Sequence, residues 1–465
     1  MLLSFKKENY NYGVLGFVLS LILFFSLSIN IAFGLIVLIS SFFILIKHSK
    51  LFFCFFIQTV FFQNTYIAFF SGFIDTPSHF KILHGINFLL PAFLTLFMFK
   101  NSAEYFSKLF FKKSILIILI LLGYFVFGAI HYDLITSALY LRLFLIPILY
   151  LLVGIYFSKK LPINFINDNL KSIFVICAIF TTLQFFFPFT VSYFLNDLDY
   201  FSIKRGVSDW EELLESYRSK RLFNISWFDI RLFRIGSLIK SIISLGYFLI
   251  IFGIYFYWPN KKFRLFLIFI IVVLAINSKG AILVLFFSLM LYFLFYKSNL
   301  STGLALSFYL MINFALIYLG HISRNEHIVG FLSGSNYLLS LGNGLGFSGN
   351  LSDSLFSSWR GDPLPNLEYW TRFQNGSESV YGVLFSSLGI FSIVYILYFI
   401  EILKQILSKL KSNTPNIRVL RVLAIVLFLQ GIYQEEAYSP YCFGLVMFLV
   451  GLNFNQKNEE EIIPV

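Results

Sequence analysis

The sequence predicts an all-α polytopic integral membrane protein of about fourteen transmembrane helices, and three observations predict it. Hydrophobic residues fill 58% of 465 positions and charged residues only 12%, with a mean hydropathy of +0.81, a balance unsuited to a water-soluble globule. Apolar runs of roughly 20 residues, the length needed to cross a bilayer, recur from one end to the other. Lysine and arginine collect in alternate connections between those runs, as basic residues retained in the cytoplasm do.

Lys6 and Lys7 precede the run VLGFVLSLILFFSLSINIAFGLIVLISSFFILI, which continues far past a signal-peptide core and lacks a small-residue cleavage site. It is read as two retained spans, 13–29 and 30–46. Lys47 and Lys50 separate these from 51–71. Span 83–99 ends at Lys100, and Lys108, Lys112 and Lys113 lead into 114–131. Spans 138–157 and 173–192 flank Lys159, Lys160 and Lys171. After a long connection, 193–235, comes 236–257; Lys261, Lys262 and Arg264 introduce 264–277, which turns directly into 280–296 and Lys297. Span 302–320 opens onto the second long connection, 321–378. Spans 379–400, 419–433 and 438–454 follow, with Lys404, Lys409, Lys411, Arg418 and Arg421 in the connection between the first two of them.

This pattern places both termini in the cytoplasm and the loops 193–235 and 321–378 on the outer face. No internal repeat and no sizeable soluble segment stands out, so 1–465 is read as a single membrane domain. The net charge of +12 is mostly topology-setting lysine, with attraction to anionic lipid heads, and does not call for nucleic acid. Cys54, Cys177 and Cys442 lie in or beside apolar runs without metal-ligand spacing, so neither a disulfide nor a metal site is expected.

The outer loops carry the functional candidates. In 193–235, Asp209 to Tyr217 reads as a short helix capped by Ser208, with Trp210, Leu213 and Leu214 on a face suited to the membrane surface. Arg218, Lys220, Arg221, Arg231 and Arg234 then depart from the positive-inside trend. Solvated pairing with Asp209, Glu211, Glu212, Glu215 and Asp229 accounts for most of them equally well. Arg231 and Arg234 stand apart, because they sit i,i+3 just before the apolar run from Gly236, and a helix starting there puts Lys240 a turn inside the boundary.

Arg142 in ALYLRLFLIPILY, Lys279 in AINSKGAIL and Arg324 in GHISRNEH fall near the same membrane level. Six cations at one level suit an anionic ligand, and arginine suits diphosphate because its planar fork binds oxygens in pairs; snorkelling or structural ion pairing is the plainer alternative for each. Glu378 stands at the start of the span from 379, where a helix N-terminus favours its ionised form, and Glu435 and Glu436 lie in another outer turn. The segment LGNGLGFSGN, with Gly342, Gly344 and Gly346, either cradles a phosphate or lets the long loop turn over a lipid carrier, the second being preferred.

RLFRIGSLIKSIISLG, NSKGAILVLFF, and LGNGLGFSGN followed by ESVYGVLFSSLGIFSIV resemble, in order and membrane address, the bacterial O-antigen polymerase (Wzy type) and O-antigen ligase superfamily. The resemblance covers mainly 230–400. Arg234 with Gly236 looks like the family's arginine-glycine motif, Lys279 with Gly280 resembles its Ser-Arg-Gly turn with lysine for arginine, and Glu378 stands where ligases commonly carry a histidine, which favours polymerase. The resemblance implies a GT-C-like membrane glycosyltransferase with no cofactor and no metal. Such an enzyme takes undecaprenyl diphosphate-linked oligosaccharides as donor and acceptor at the periplasmic face of the inner membrane, with a chain-length regulator of the polysaccharide co-polymerase type as a candidate partner.

In this reading Arg142, Arg231, Arg234, Lys240, Lys279 and Arg324 stabilise the departing diphosphate, Glu378 accepts the nucleophile's proton, and Gly342, Gly344 and Gly346 belong to the loop covering the substrate. A ligase is the nearest alternative and a lipid-linked oligosaccharide flippase the alternative of another class. The apolar character of the spans speaks against a polar transport path.

Overall fold

The computed structural model describes residues 7–100, 108–206, 209–225, 230–258, 276, 278–297, 307, 311, 325–349, 379–409 and 415–454. Nearly all of the described chain is helical, and its apolar helices make this a membrane-embedded protein. Four described helices are long and apolar enough to cross a bilayer, or six if each sharply bent pair counts as one span. The expected spans 264–277 and 302–320 lie almost wholly outside the described residues.

The chain divides into two compact units, 1–97 with 155–282 and 98–154 with 283–465. Each is assembled from separated stretches of sequence.

The first unit opens with α1 (Lys7–Ile29) and α2 (Ile31–Leu45), parted at Asn30, whose side chain caps α2 by accepting from the Phe33 amide at 3.1 Å. α1 packs closely on α3 (Ser49–Phe61), where Gly16 leaves room for the backbone of Cys54, and Ser20 and Thr59 share a hydroxyl bond of 2.9 Å. The predicted span 51–71 is broken. α4 (Gln63–Phe69) departs from α3 by 69° at Phe62, and α5 (Pro77–His84) meets α6 (Ile86–Lys100) at 47°. α9 (Ile163–Phe186) likewise stops before Pro188, which disfavours helical backbone at Phe187, and gives way to α10 (Pro188–Phe194) and α11 (Asp197–Arg205).

The connection 193–235 differs from expectation in three ways. α12 (Trp210–Arg221) is capped by Asp209, whose carboxylate accepts from the Glu212 amide at 2.8 Å, while the expected cap Ser208 lies outside the described residues. Leu213 and Tyr217, one turn apart, are buried within the protein while Glu211, Glu212 and Glu215 are exposed, so Leu213 does not lie on the membrane. Residues 230–233, read as the approach to a helix, form a strand. β1 (Leu222–Ile225) pairs antiparallel with β2 (Ile230–Phe233), Asn224 opposite Arg231, because the aromatic and branched residues of LFNI and IRLF suit a two-stranded ribbon. α13 (Ile242–Tyr257) therefore begins at Ile242, capped by Ser241, six residues later than Gly236.

The second unit contains α7 (Lys108–His131), most of α8 (Leu134–Lys160), most of α14 (Lys279–Lys297), α15 (Asn325–Ser335), α16 (Val380–Leu388), α17 (Phe391–Lys409), α18 (Pro415–Gln430) and α19 (Phe443–Asn453). The predicted span 379–400 is two helices, separated at Gly389, whose φ of 53° leaves the right-handed helical region. α15 crosses α16 with backbones almost touching: a Cβ at Gly334 would overlap Gly382, and one at Gly382 would overlap the Gly330 carbonyl. Gly330 and Gly334 are four apart, the small-residue spacing that lets apolar helices approach. Near the other end of α7, Lys113 Nζ bonds both oxygens of Glu401 at 2.5–2.6 Å and Ser114 meets the Tyr398 hydroxyl at 2.8 Å.

Candidate functional site

In the second unit, the glycine segment has a definite task. Gly342, Gly344, Gly346 and Gly349 all have positive φ, between 83° and 102°, which side-chain-bearing residues rarely adopt. The segment threads between the end of α7, the start of α8 and the length of α16. Its amides are spent inside the protein: Asn343 donates to the Ser386 carbonyl at 3.1 Å, Gly344 to Ser387 at 2.9 Å and Leu345 to Tyr124 at 3.1 Å, while the Gly342 amide reaches the Ser340 hydroxyl at 3.0 Å. Ser137 Oγ donates to the Leu345 carbonyl at 2.7 Å, and Ser348 and Ser386 share a hydroxyl bond of 2.5 Å. A Cβ on Gly344 would stand 2.9 Å from the Gly128 nitrogen, and one on Gly349 would run into the Tyr140 hydroxyl.

The glycines thus serve close backbone packing, and the amides of residues 342–345 are bonded to protein oxygens. Beside them Tyr132, Phe347 and Tyr337 form an aromatic chain with centroid spacings of 5.9 and 5.7 Å. Burial first, and the neighbouring Tyr337 second, push the Tyr132 phenol above its ordinary range.

From Lys113 to Gly128, α7 rises about 22 Å, so the glycine segment and the first turns of α8 lie toward the opposite end of α7 from the Lys113–Glu401 pair. Arg142 is half-buried two turns into α8. One turn further, Ile146 touches Gly444, just beyond the turn that joins α18 to α19. That turn holds Glu435, a carboxylate residue only 8% exposed, and Glu436. Both Arg142 and Tyr441 lie within electrostatic reach of Tyr150.

The start of α16 joins the same cluster. Ser379 caps α16 by accepting from the Gly382 amide at 3.1 Å. The Tyr381 amide donates to the Gly431 carbonyl, its hydroxyl donates to the Phe428 carbonyl at 2.8 Å, and the Tyr381 and Tyr438 hydroxyls are 3.0 Å apart. Glu378 immediately precedes Ser379, but it and Arg324 lie outside the described residues. Replacing Tyr381 with Phe is expected to lower the melting temperature by several degrees, about 1–2 kcal/mol, because Tyr438 loses a buried partner. A thermal melt of the purified protein checks this, and an unchanged midpoint would show the hydroxyl pair to be dispensable.

In the first unit the cations follow a different pattern. Arg231 occupies β2, Arg234 is half-buried just after it, and Lys279 opens α14. Lys240 does not lie inside a helix. It sits in a left-handed turn, φ 63°, fully buried, with its ammonium bonded to the Asp197 carboxylate and, at 2.5 Å, to the Leu195 carbonyl. Asp197 also accepts from Gln184 Nε2 at 3.0 Å, while Gln184 Oε1 accepts from the Ser237 amide at 2.7 Å. Sequence alone does not single out Asp197 or Gln184. Their only signal is a polar residue within or just after an apolar run, the same signal as Asn64, whose side chain donates to the Ile239 carbonyl at 2.8 Å.

Among the described residues no three His, Cys, Asp or Glu side chains gather closely enough to hold a metal ion. No protein-family model, characterised protein or solved structure matches the chain.

Proposed function

We propose that the chain is a surface-polysaccharide polymerase of the bacterial inner membrane, a glycosyltransferase of GT-C-like organisation with about fourteen spans, both termini cytoplasmic and its site at the periplasmic face. It joins a growing glycan, carried on undecaprenyl diphosphate, to a sugar hydroxyl of another lipid-linked repeat unit. The acceptor oxygen bonds to the anomeric carbon of the donor glycan as the bond from that carbon to the diphosphate oxygen breaks. The hydroxyl proton passes to the Glu378 carboxylate, and the diphosphate leaves on its lipid with its charge met by arginine and lysine. With those cations meeting the developing charge, the transfer needs no metal. A chain-length regulator of the co-polymerase type is a fitting partner.

The supporting observation is the cluster in the second unit. The start of α16, directly after Glu378, packs on the turn carrying Glu435 and Glu436, and that turn lies beside α8 one turn from Arg142. Carboxylate and arginine are what acceptor activation and diphosphate departure require. Arg231, Arg234, Lys240, Lys279 and Arg324 enter the proposal on their sequence positions; for Lys240, the buried pairing favours a positioning role in place of direct contact with diphosphate.

One observation favours the flippase reading. In the first unit, the helix breaks at Phe62, Gly85 and Phe187 are lined by buried Gln63, Asn64, Asn87 and Gln184, and interrupted helices around polar groups are how many transporters build their sites.

The test is the lipopolysaccharide ladder of cells lacking the gene, complemented with wild type, Arg234→Ala or Glu378→Ala at matched membrane abundance. Each variant is expected to leave core bearing a single repeat unit, since losing a charge-stabilising group or a general base costs about 10²-fold or more in rate. Lipid-linked polymer accumulating unattached would indicate a ligase. Unattached single repeats would indicate the flippase, and an unchanged ladder would overturn the assignment of these residues.

A further inference from the structure

We propose that Asp197 and Lys240 form a buried clamp that closes the base of the outer basic loop and thereby positions Arg234. The two residues are 43 positions apart and bracket α11, α12, the β1–β2 hairpin and Arg231 with Arg234; α11 is anchored besides through Tyr200, whose hydroxyl lies 3.1 Å from His84 Nε2, and β2 through Phe233, whose ring packs on Phe189. As a functional statement it rests on the polymerase reading, in which Arg234 meets an anionic lipid-linked substrate.

The clamp is tied on every side. Asp197 is 1% exposed and receives Lys240 on one oxygen and Gln184 on the other; Tyr217, from α12 inside the loop, approaches that second oxygen at 3.4 Å. Asn196, next to Asp197, donates to the Ala68 carbonyl at 2.9 Å and to Ser71 Oγ at 2.8 Å, fixing the loop's first residues to the end of α4. On the returning side Ser237 and Lys240 both have positive φ, a conformation that non-glycine residues keep only where the surroundings hold them. Here Gln184 holds the Ser237 amide, Thr65 the Leu238 carbonyl and Asn64 the Ile239 carbonyl. Ile235 to Lys240 are all buried. Arg234 is therefore separated by two residues from a segment with almost no freedom. A guanidinium meant to meet a diphosphate needs such a mount, because a displacement of about 1 Å is enough to cost two orders of magnitude in rate.

The measurement is thiol accessibility in full-length protein in detergent. Cys54, Cys177 and Cys442 are all buried and give a low background, and Ile235→Cys places a reporter beside Arg234 at a fully buried position. Adding Lys240→Met or Asp197→Asn is expected to speed N-ethylmaleimide labelling of the introduced thiol roughly tenfold or more, while the three native thiols stay protected. The neutral pair Asp197→Asn with Lys240→Met is expected to accumulate well and still label fast. Reporter rates within about twofold of the parent in both single variants, or native thiols exposed together with the reporter, would overturn the clamp.

At matched abundance the same variants are expected to shorten the glycan ladder. A normal ladder with fast labelling would overturn the clamp's part in activity. If Arg234→Ala itself leaves the ladder intact, the polymerase role of Arg234 fails, and the labelling result stands apart from it.

Discussion

Replacing Gly128 with valine is expected to reduce sharply the folded protein recovered from the membrane, whereas Gly123→Ala, five residues earlier on the same helix, is expected to leave it unchanged or raise it slightly. A Cβ at Gly128 would fall on the carbonyl oxygen of Leu345 and within 2.7 Å of the Leu345 nitrogen. These are backbone atoms, and they cannot rotate aside. The Leu345 amide donates to the Tyr124 carbonyl and its carbonyl receives Ser137, so moving it breaks bonds on both sides. Overpacking against fixed backbone costs about 3 kcal/mol or more, a large part of the roughly 5–15 kcal/mol that holds a typical protein folded. Around Gly123 there is nothing within 4 Å, and alanine there gains helix propensity of about 1 kcal/mol. Size-exclusion chromatography of both variants from solubilised membranes, with wild type beside them, reads the outcome. A normal monodisperse peak for Gly128→Val would mean that the glycine segment is not seated between α7 and α8.

That seating marks the limit of what the chain discloses by itself. Hydropathy locates α1, α2, α7 and α8 to within a few residues at most ends, and Asn30 is legible as the point where one apolar run becomes two, because a short polar side chain there can cap a helix. The glycines of 341–350 advertise unusual backbone, and four positive φ values are what they provide. Their neighbours are not legible, since Gly128 and Ser137 carry no mark that they face residues more than 200 positions away. The helix breaks escape notice for a related reason. Averaging over a 20-residue window absorbs Gln63, Asn64 and Gln184 into apolar runs, although each serves to satisfy backbone or charge that an interrupted helix leaves behind. Lys240 stands out in the sequence for its charge, which suggests an outward role. Its partner Asp197 stands at the far end of a 43-residue loop, a pairing that spacing cannot reveal.

Lys240→Met alone is expected to lower the melting temperature of the purified protein far more than the double change Asp197→Asn with Lys240→Met. Both members of the pair are essentially without solvent contact. Removing the ammonium leaves the Asp197 carboxylate with Gln184 and the distant Tyr217 hydroxyl as its side-chain partners among the described residues, and breaking a buried pair from one side costs about 3–5 kcal/mol. In the double variant no net charge remains to be desolvated. What is left at position 197 is a matter of hydrogen bonds: the amide oxygen of the introduced asparagine still accepts from Gln184, and its NH₂ can meet the Leu195 carbonyl that Lys240 now occupies. Most of the lost stability should therefore return, to within about 1–2 kcal/mol of wild type. Thermal melts of the three proteins in one detergent decide it. A double variant as unstable as Lys240→Met would mean that the ammonium holds the fold through the Leu195 carbonyl and the left-handed turn, with Asp197 incidental. A Lys240→Met protein as stable as wild type would mean that Asp197 is accommodated without its partner, and the ion pair would lose its place in the architecture of the loop.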